Sequence, residues 1–114
     1  MTTKRARRRG PGRPLAVVWT DRASADLEAI GDFIASDSPA AAAQWAGELM
    51  AAAERAASAP LAGRRVPELG RDDLREIFKR TYRIVYRVTT EHIEILTVFE
   101  GHRWFPRDVA RDDK

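Results

Sequence analysis

Arginine occupies positions 83 and 87 of the stretch YRIVYRV, and positions 75 and 80 shortly before it. If that stretch is a β-strand, residues 83, 85 and 87 share one side and Tyr82, Ile84, Tyr86 and Val88 the other, because successive side chains alternate. A guanidinium keeps its charge at physiological pH and offers a planar fork of N–H donors that fits phosphate or carboxylate oxygens. Arg83, Val85 and Arg87 therefore read as a basic, half-apolar surface for an anionic partner. Arg64 and Arg65 in GRRVPEL, Arg75 in LREIF, and Arg103 and Trp104 in GHRW extend it, the indole adding a face on which a base can stack. The plainer alternative is that such arginines keep an open sheet face wet, or pair with Glu76 and Glu94 across strands.

What must position these groups is small. A chain of 114 residues, 44% hydrophobic, suits one domain with one core and modest stability to spare. It has no cysteine, so it offers no disulfide, thiolate nucleophile or thiolate metal site, and His92 and His102 are too few for a histidine-rich centre. No metal and no other cofactor is expected. The cysteine-free composition favours a reducing, cytoplasmic location. No apolar run approaches the ~20 residues that cross a bilayer, and no apolar signal core follows the basic start, so no membrane association is expected.

Charge is laid out unevenly under the net value of +3. Residues 1–13 hold Lys4, Arg5, Arg7, Arg8, Arg9 and Arg13 without an acid. Residues 20–63 are dominated by acids, and residues 64–107 by bases. Folded into separate layers, the two segments would make the domain electrically two-faced.

The elements follow from periodicity and capping. Residues 1–14, with Gly10, Pro11, Gly12 and Pro14 among the cations, read as a disordered basic arm. LAVVWT predicts a first strand. Thr20 or Asp21 can cap a helix with Ala23, Leu27, Ile30 and Ile34 on its inner face and Asp26 and Glu28 near solvent. Ser38 followed by Pro39 starts a second helix, with Ala42, Trp45, Ala46, Leu49, Ala53 and Ala56 inward, ended by Pro60. GRRVPEL lies in an irregular connection, and three antiparallel strands follow at about 74–79, 82–88 and 93–99. KRTY is not a turn sequence that dictates hairpin register. The domain spans 15–107, and 108–114 is a polar tail. Trp19 and Trp45 read as core, Trp104 as exposed.

This β-α-α-β-β-β order, with DLEAIGDFIASDSPAAAAQW, GRRVPEL, LREIF, YRIVYRV and VFEGHRWFP in sequence, resembles the RelE/ParE superfamily of type II toxin-antitoxin toxins over about residues 17–106. The resemblance implies an α+β fold, a helical hairpin packed on a small antiparallel sheet, and a cognate antitoxin, ParD-like, that holds the toxin inactive. ParE-like members bind and poison DNA gyrase; RelE-like members cleave messenger RNA on the ribosome.

Cleaving RNA through its own 2′-hydroxyl needs a group that takes that proton, one that protonates the leaving oxygen, and cations beside the phosphate. By resemblance to the ribonucleases, Arg83 and Arg103 match phosphate-stabilising arginines, and Glu76 with His102 would form the acid/base pair of relatives that use Glu and His. Two RelE lysines fall near Leu74 and Glu76, where a carboxylate replaces a cation, and no tyrosine follows GHRWFP. The resemblance therefore implies a ParE-like toxin that inhibits DNA gyrase, the residues at 64, 65, 75, 83, 85, 87, 103 and 104 meeting target or antitoxin. A RelE-like endonuclease is the alternative. A non-toxic nucleic-acid adaptor is a second, motivated by the arginine arm and its PGRP, which is similar to an AT-hook core without the preceding arginine.

Overall fold

The computed structural model describes residues 14–111, so the reading of 1–13 as a disordered arm lies outside the described residues. Strand β1 (Ala16–Trp19) leads into helix α1 (Asp21–Ala35), helix α2 (Pro39–Ser58) and a single 3-10 turn (Pro60–Ala62). Then come β2 (Arg64–Arg65), β3 (Leu74–Lys79), β4 (Tyr82–Val88), β5 (His92–Glu100) and a short α3 (Arg107–Arg111). The five strands form one sheet in the order β1-β5-β4-β3-β2, with β1 parallel to β5 and the other pairs antiparallel.

Both long helices start as capping chemistry requires. Thr20 Oγ1 accepts from the Ala23 amide at 3.1 Å and Ser38 Oγ from the Ala41 amide at 3.1 Å, with Pro39 in the first turn where its missing N–H costs nothing. Thr20 also donates to the Ile95 carbonyl at 2.8 Å, so one hydroxyl fixes both the helix start and its place on the sheet. The hairpin buries Ala23 of α1 and Trp45, Leu49, Ala52, Ala53, Ala56 and Ala57 of α2 against Ile84 and Tyr86 of β4 and Ile93, Ile95 and Val98 of β5. Alanines along α2 let its axis approach the sheet closely.

The β3–β4 hairpin closes on two loop residues, since Lys79 pairs with Tyr82. Arg80 carries the positive φ (56°) that such a turn needs at its first position and that glycine usually supplies. Its guanidinium meets Glu48 of α2 at 2.9 and 3.0 Å, tying the hairpin tip to the helices. Between Val85 and Tyr86 the register with β5 slips by one residue, which lets Ile93, Ile95 and Val98 all face the helices while Phe99 packs on the far face.

Three differences from the sequence reading matter for the site. First, GRRVPEL contributes the two-residue edge strand β2, paired with Arg75 and Glu76, and drops Val66 into full burial. Second, the sheet's far face is not open: Val66, Leu74, Val85 and Phe99 form a second small core there, packed by Leu69, Leu96 and Phe105. Third, Asp26 does not point to solvent. Because β1 stops opposite Ile95, the edge of β5 beyond it is uncovered, and the Asp26 carboxylate accepts from the Val98 amide at 3.2 Å and from the Thr97 hydroxyl. Beyond residue 107, Val109 is buried and Asp108 pairs with Arg22.

Candidate binding surfaces on the sheet and beside helix α1

Arg83 sits on the face predicted from strand alternation, opposite the helices, yet it is only 6% exposed. Its Nε donates to Glu76 Oε1 at 2.7 Å, and its two terminal nitrogens donate to the Glu68 oxygens at 2.9 and 2.8 Å. The guanidinium lies against the rings of Phe99 and Phe105, 5.2 and 5.4 Å from their centroids, and the two rings meet edge to face at 5.6 Å. Glu76, 1% exposed, is satisfied on its other oxygen by Arg64 Nε at 2.6 Å, and Arg64 stacks over Phe78 at 5.5 Å. A carboxylate this deep must be paired, because an unpaired buried charge costs several kcal/mol. The Arg83 fork holds the Glu68 carboxyl below the usual carboxylate range and, reciprocally, Glu68 raises Arg83.

The other expected contact residues are largely engaged within the chain. Arg87 donates to Glu94 at 2.9 Å, which lowers the Glu94 pKa, and Arg65 reaches Asp72 at 2.9 Å. Arg75 gathers three loop carbonyls, those of Asp72, Leu61 and Gly63, at 2.8, 3.3 and 3.1 Å. Gly63 itself lies against β3 and β4 with no room for a side chain: a Cβ there would meet the Tyr86 hydroxyl and come within 2.9 Å of the Glu76 carbonyl oxygen. Val85 is fully buried. The expected basic, half-apolar surface is thus closed by the chain's own carboxylates and by the residues folded over it.

Glu76 and His102 are not brought together as an acid/base pair. His102 pairs with Glu100 instead: its Nδ1 lies 2.7 Å from Glu100 Oε2 and its amide donates to Glu100 Oε1 at 2.8 Å. These bonds lower the Glu100 pKa. His102 and Trp104 are exposed, Trp104 by 96%, and Arg103 has no side-chain partner among the described residues.

The surface that sequence reasoning missed lies beside this segment. A groove of about 690 Å³ runs between α1 (Ala29, Ile30, Phe33) and the end of β5 with its following turn (Val98, Arg103, Trp104). Phe33 is 76% exposed on one rim and Trp104 stands on the other. The sequence carried only part of the signal: Phe33 falls off the Ala23–Leu27–Ile30–Ile34 stripe and so belongs to the outer face of α1, but a single outward aromatic marks no site until Trp104 is brought opposite it. Arg22 and Asp26, 3.1 Å apart, close one part of the groove, and Arg103, with no side-chain partner among the described residues, lines the other together with Glu100.

Comparison with known proteins fits this architecture. Residues 17–104 match the family described as ParE toxin of type II toxin-antitoxin system, parDE. The curated Sinorhizobium fredii protein "Putative toxin Y4kP" is 35% identical over 91 residues, covering 78% of this chain and 91% of that protein. The chromosomal ParDE toxin-antitoxin system from P. aeruginosa gives a TM-score of 0.63 at 22% identity, over 75% of this chain and 95% of the other. The toxin-antitoxin complex RelBE2 from Mycobacterium tuberculosis gives 0.51 at 25% identity, over 76% and 91%. A capped helical hairpin on a sheet whose strand arginines are locked in place, matched along most of its length by one family, places the chain in the ParE toxin family of type II toxin-antitoxin systems.

Proposed function

We propose that this toxin acts by binding rather than by cleavage, with DNA gyrase as its target and a ParD-like antitoxin as its inhibitor. The observation that carries this reading is the state of Arg83: 6% exposed, with its donors on Glu76 and Glu68. A ribonuclease needs that cation beside a scissile phosphate and an acid/base pair across it, whereas here the pair expected from Glu76 and His102 is not assembled. A binding toxin needs no such set. It needs an exposed surface with anchoring aromatics, which the Phe33–Trp104 groove supplies. The antitoxin segment that neutralises the toxin would fill that groove with apolar side chains and bring an acid to Arg103.

One observation favours the RelE-like alternative. Glu100 holds His102 by Nδ1 next to the exposed Trp104 and to Arg103, which has no side-chain partner among the described residues, so a general base, a cation and a stacking ring share one turn. Purified toxin assayed for inhibition of gyrase supercoiling and for cleavage of ribosome-bound messenger RNA separates the two. The expected result is inhibition without cleavage. Cleavage that His102→Ala or Arg103→Ala abolishes, with supercoiling untouched, overturns the proposal.

A further inference from the structure

Trp104 is 96% exposed, so its own side chain contributes little to holding it on the rim of the groove. What holds it lies on the residues that follow. Phe105 meets Phe99 edge to face at 5.6 Å, and Val109 of α3 is buried. Between these two anchors the chain is tied back to α1. Asp108 accepts a hydrogen bond from Arg22 Nη1, while Arg22 Nε reaches the two oxygens of Asp26 at 3.1 and 3.2 Å. Asp26 is itself fixed on the uncovered edge of β5 by the Val98 amide at 3.2 Å. One guanidinium therefore links α3 to the floor of the groove, at the end that Arg22 lines together with Pro106.

An exposed ion pair standing alone contributes little, but Asp26, Arg22 and Asp108 form a network, and the element that they secure is weak by itself. A helix of five residues does not persist without tertiary support, and a peripheral segment opens locally at small cost. A modest tie is then enough to decide whether α3 is docked.

We propose that α3 is a clasp for the groove and that Arg22 is the positioning residue that fastens it. With Asp108 held, the backbone on both sides of Pro106 is fixed and Trp104 stands opposite Phe33 before any partner arrives. With Asp108 released, that rim moves away and a partner must wait for its return. The proposal rests on the reading of the groove as a partner's surface, and it adds that this surface is preorganised by residues outside its aromatic rims. Such preorganisation is read in the association rate, because only the docked fraction accepts a partner, whereas the loss of a direct contact is read mainly in dissociation.

The test uses the isotope-labelled full chain with Asp108→Ala, the conservative Asp108→Glu, and Asp72→Ala, which removes an exposed ion pair to Arg65 elsewhere on the surface. In Asp108→Ala, backbone order parameters at Trp104 and Val109 fall from about 0.85 to below about 0.6 while β4 and β5 keep their rigidity. Antitoxin recovered from its complex with the toxin associates with Asp108→Ala about threefold to tenfold more slowly and dissociates at the wild-type rate. Asp108→Glu restores both readouts, and Asp72→Ala changes neither. Unchanged order parameters in Asp108→Ala, equal loosening in Asp72→Ala, or faster dissociation with unchanged association each overturns the proposal. Loosening with unchanged association overturns it as well, and Trp104→Ala then shows what has failed: weaker antitoxin binding leaves the groove standing without its clasp, and unaltered binding removes the groove reading too. Should Asp108→Ala lose its β4 amide signals, Asp108→Asn, which keeps the shape without the charge, is held to the same criteria.

Discussion

The far face of the sheet and the groove beside α1 are both made of arginine next to aromatic rings, and they end in opposite states. On the far face, Arg83 lies against Phe99 and Phe105 with carboxylates on its donors. In the groove, Arg103 has no side-chain partner among the described residues, and Phe33 and Trp104 stand in water. The difference lies in chain connectivity. Val66, Glu68 and Phe105 fold back over the first region and satisfy it, whereas α1 and the β5 turn meet along a line that no further described segment covers. Composition marks a surface as sticky; what the rest of the chain does with it decides whether it holds the fold or meets a partner.

The largest test of that contrast is Arg83→Ala, which leaves Glu76 buried with Arg64 alone. Denaturant unfolding should show a loss of about 3–5 kcal/mol. A loss below about 1 kcal/mol would mean that the far face is not an internal keystone. In the groove the expectation reverses. Phe33→Ala and Trp104→Ala should leave stability within about 0.5 kcal/mol, because both side chains are exposed, yet each should weaken antitoxin binding by about 2 kcal/mol, roughly thirtyfold, in calorimetric titration. Equal binding by wild type and both variants would move the partner surface elsewhere.

Asp26→Ala probes the floor between the two. It removes the acceptor for the Val98 amide and the Thr97 hydroxyl and should cost about 1–3 kcal/mol, visible as a lowered thermal midpoint. The smallest effect is acid sensitivity. Glu68 and Glu94 are held below their ordinary values, chiefly by hydrogen bonds from Arg83 and Arg87. Carboxylates depressed on folding contribute stability that is fully present above the unfolded pKa, near 4.3, and is lost as pH falls through the folded value. Stability should therefore decline below about pH 4.5, and Glu68→Gln should make the decline shallower by no more than about 1 kcal/mol, since Glu68 is screened by solvent. An unchanged slope would show the Glu68 pairing to be energetically idle.

Local rules carried the sequence reading through the helices and strands. Caps at Thr20 and Ser38, the inward stripe of α1 and the side of β4 that bears Arg83 were all legible, because each depends on neighbours within a few residues. The cover over Arg83 was not. It depends on Val66, Leu69 and Phe105, single apolar residues set in loop-like text with no period to reveal them. Asp26 misled for a related reason: its place on the helix predicts solvent, and only the early end of β1 exposes the edge that it caps. The groove joins residues some seventy positions apart, a distance over which pattern carries no information.

That parallel pairing of β1 with β5 has a consequence for biosynthesis. Val17 finds Ile93, and Thr20 finds Ile95, so the earliest strand waits for the latest before either is secured. A nascent chain still short of residue 95 can form its helical hairpin but has neither a closed sheet nor both lips of the groove. The cleft between Phe33 and Trp104 thus becomes available only after residue 104 has emerged from the ribosome.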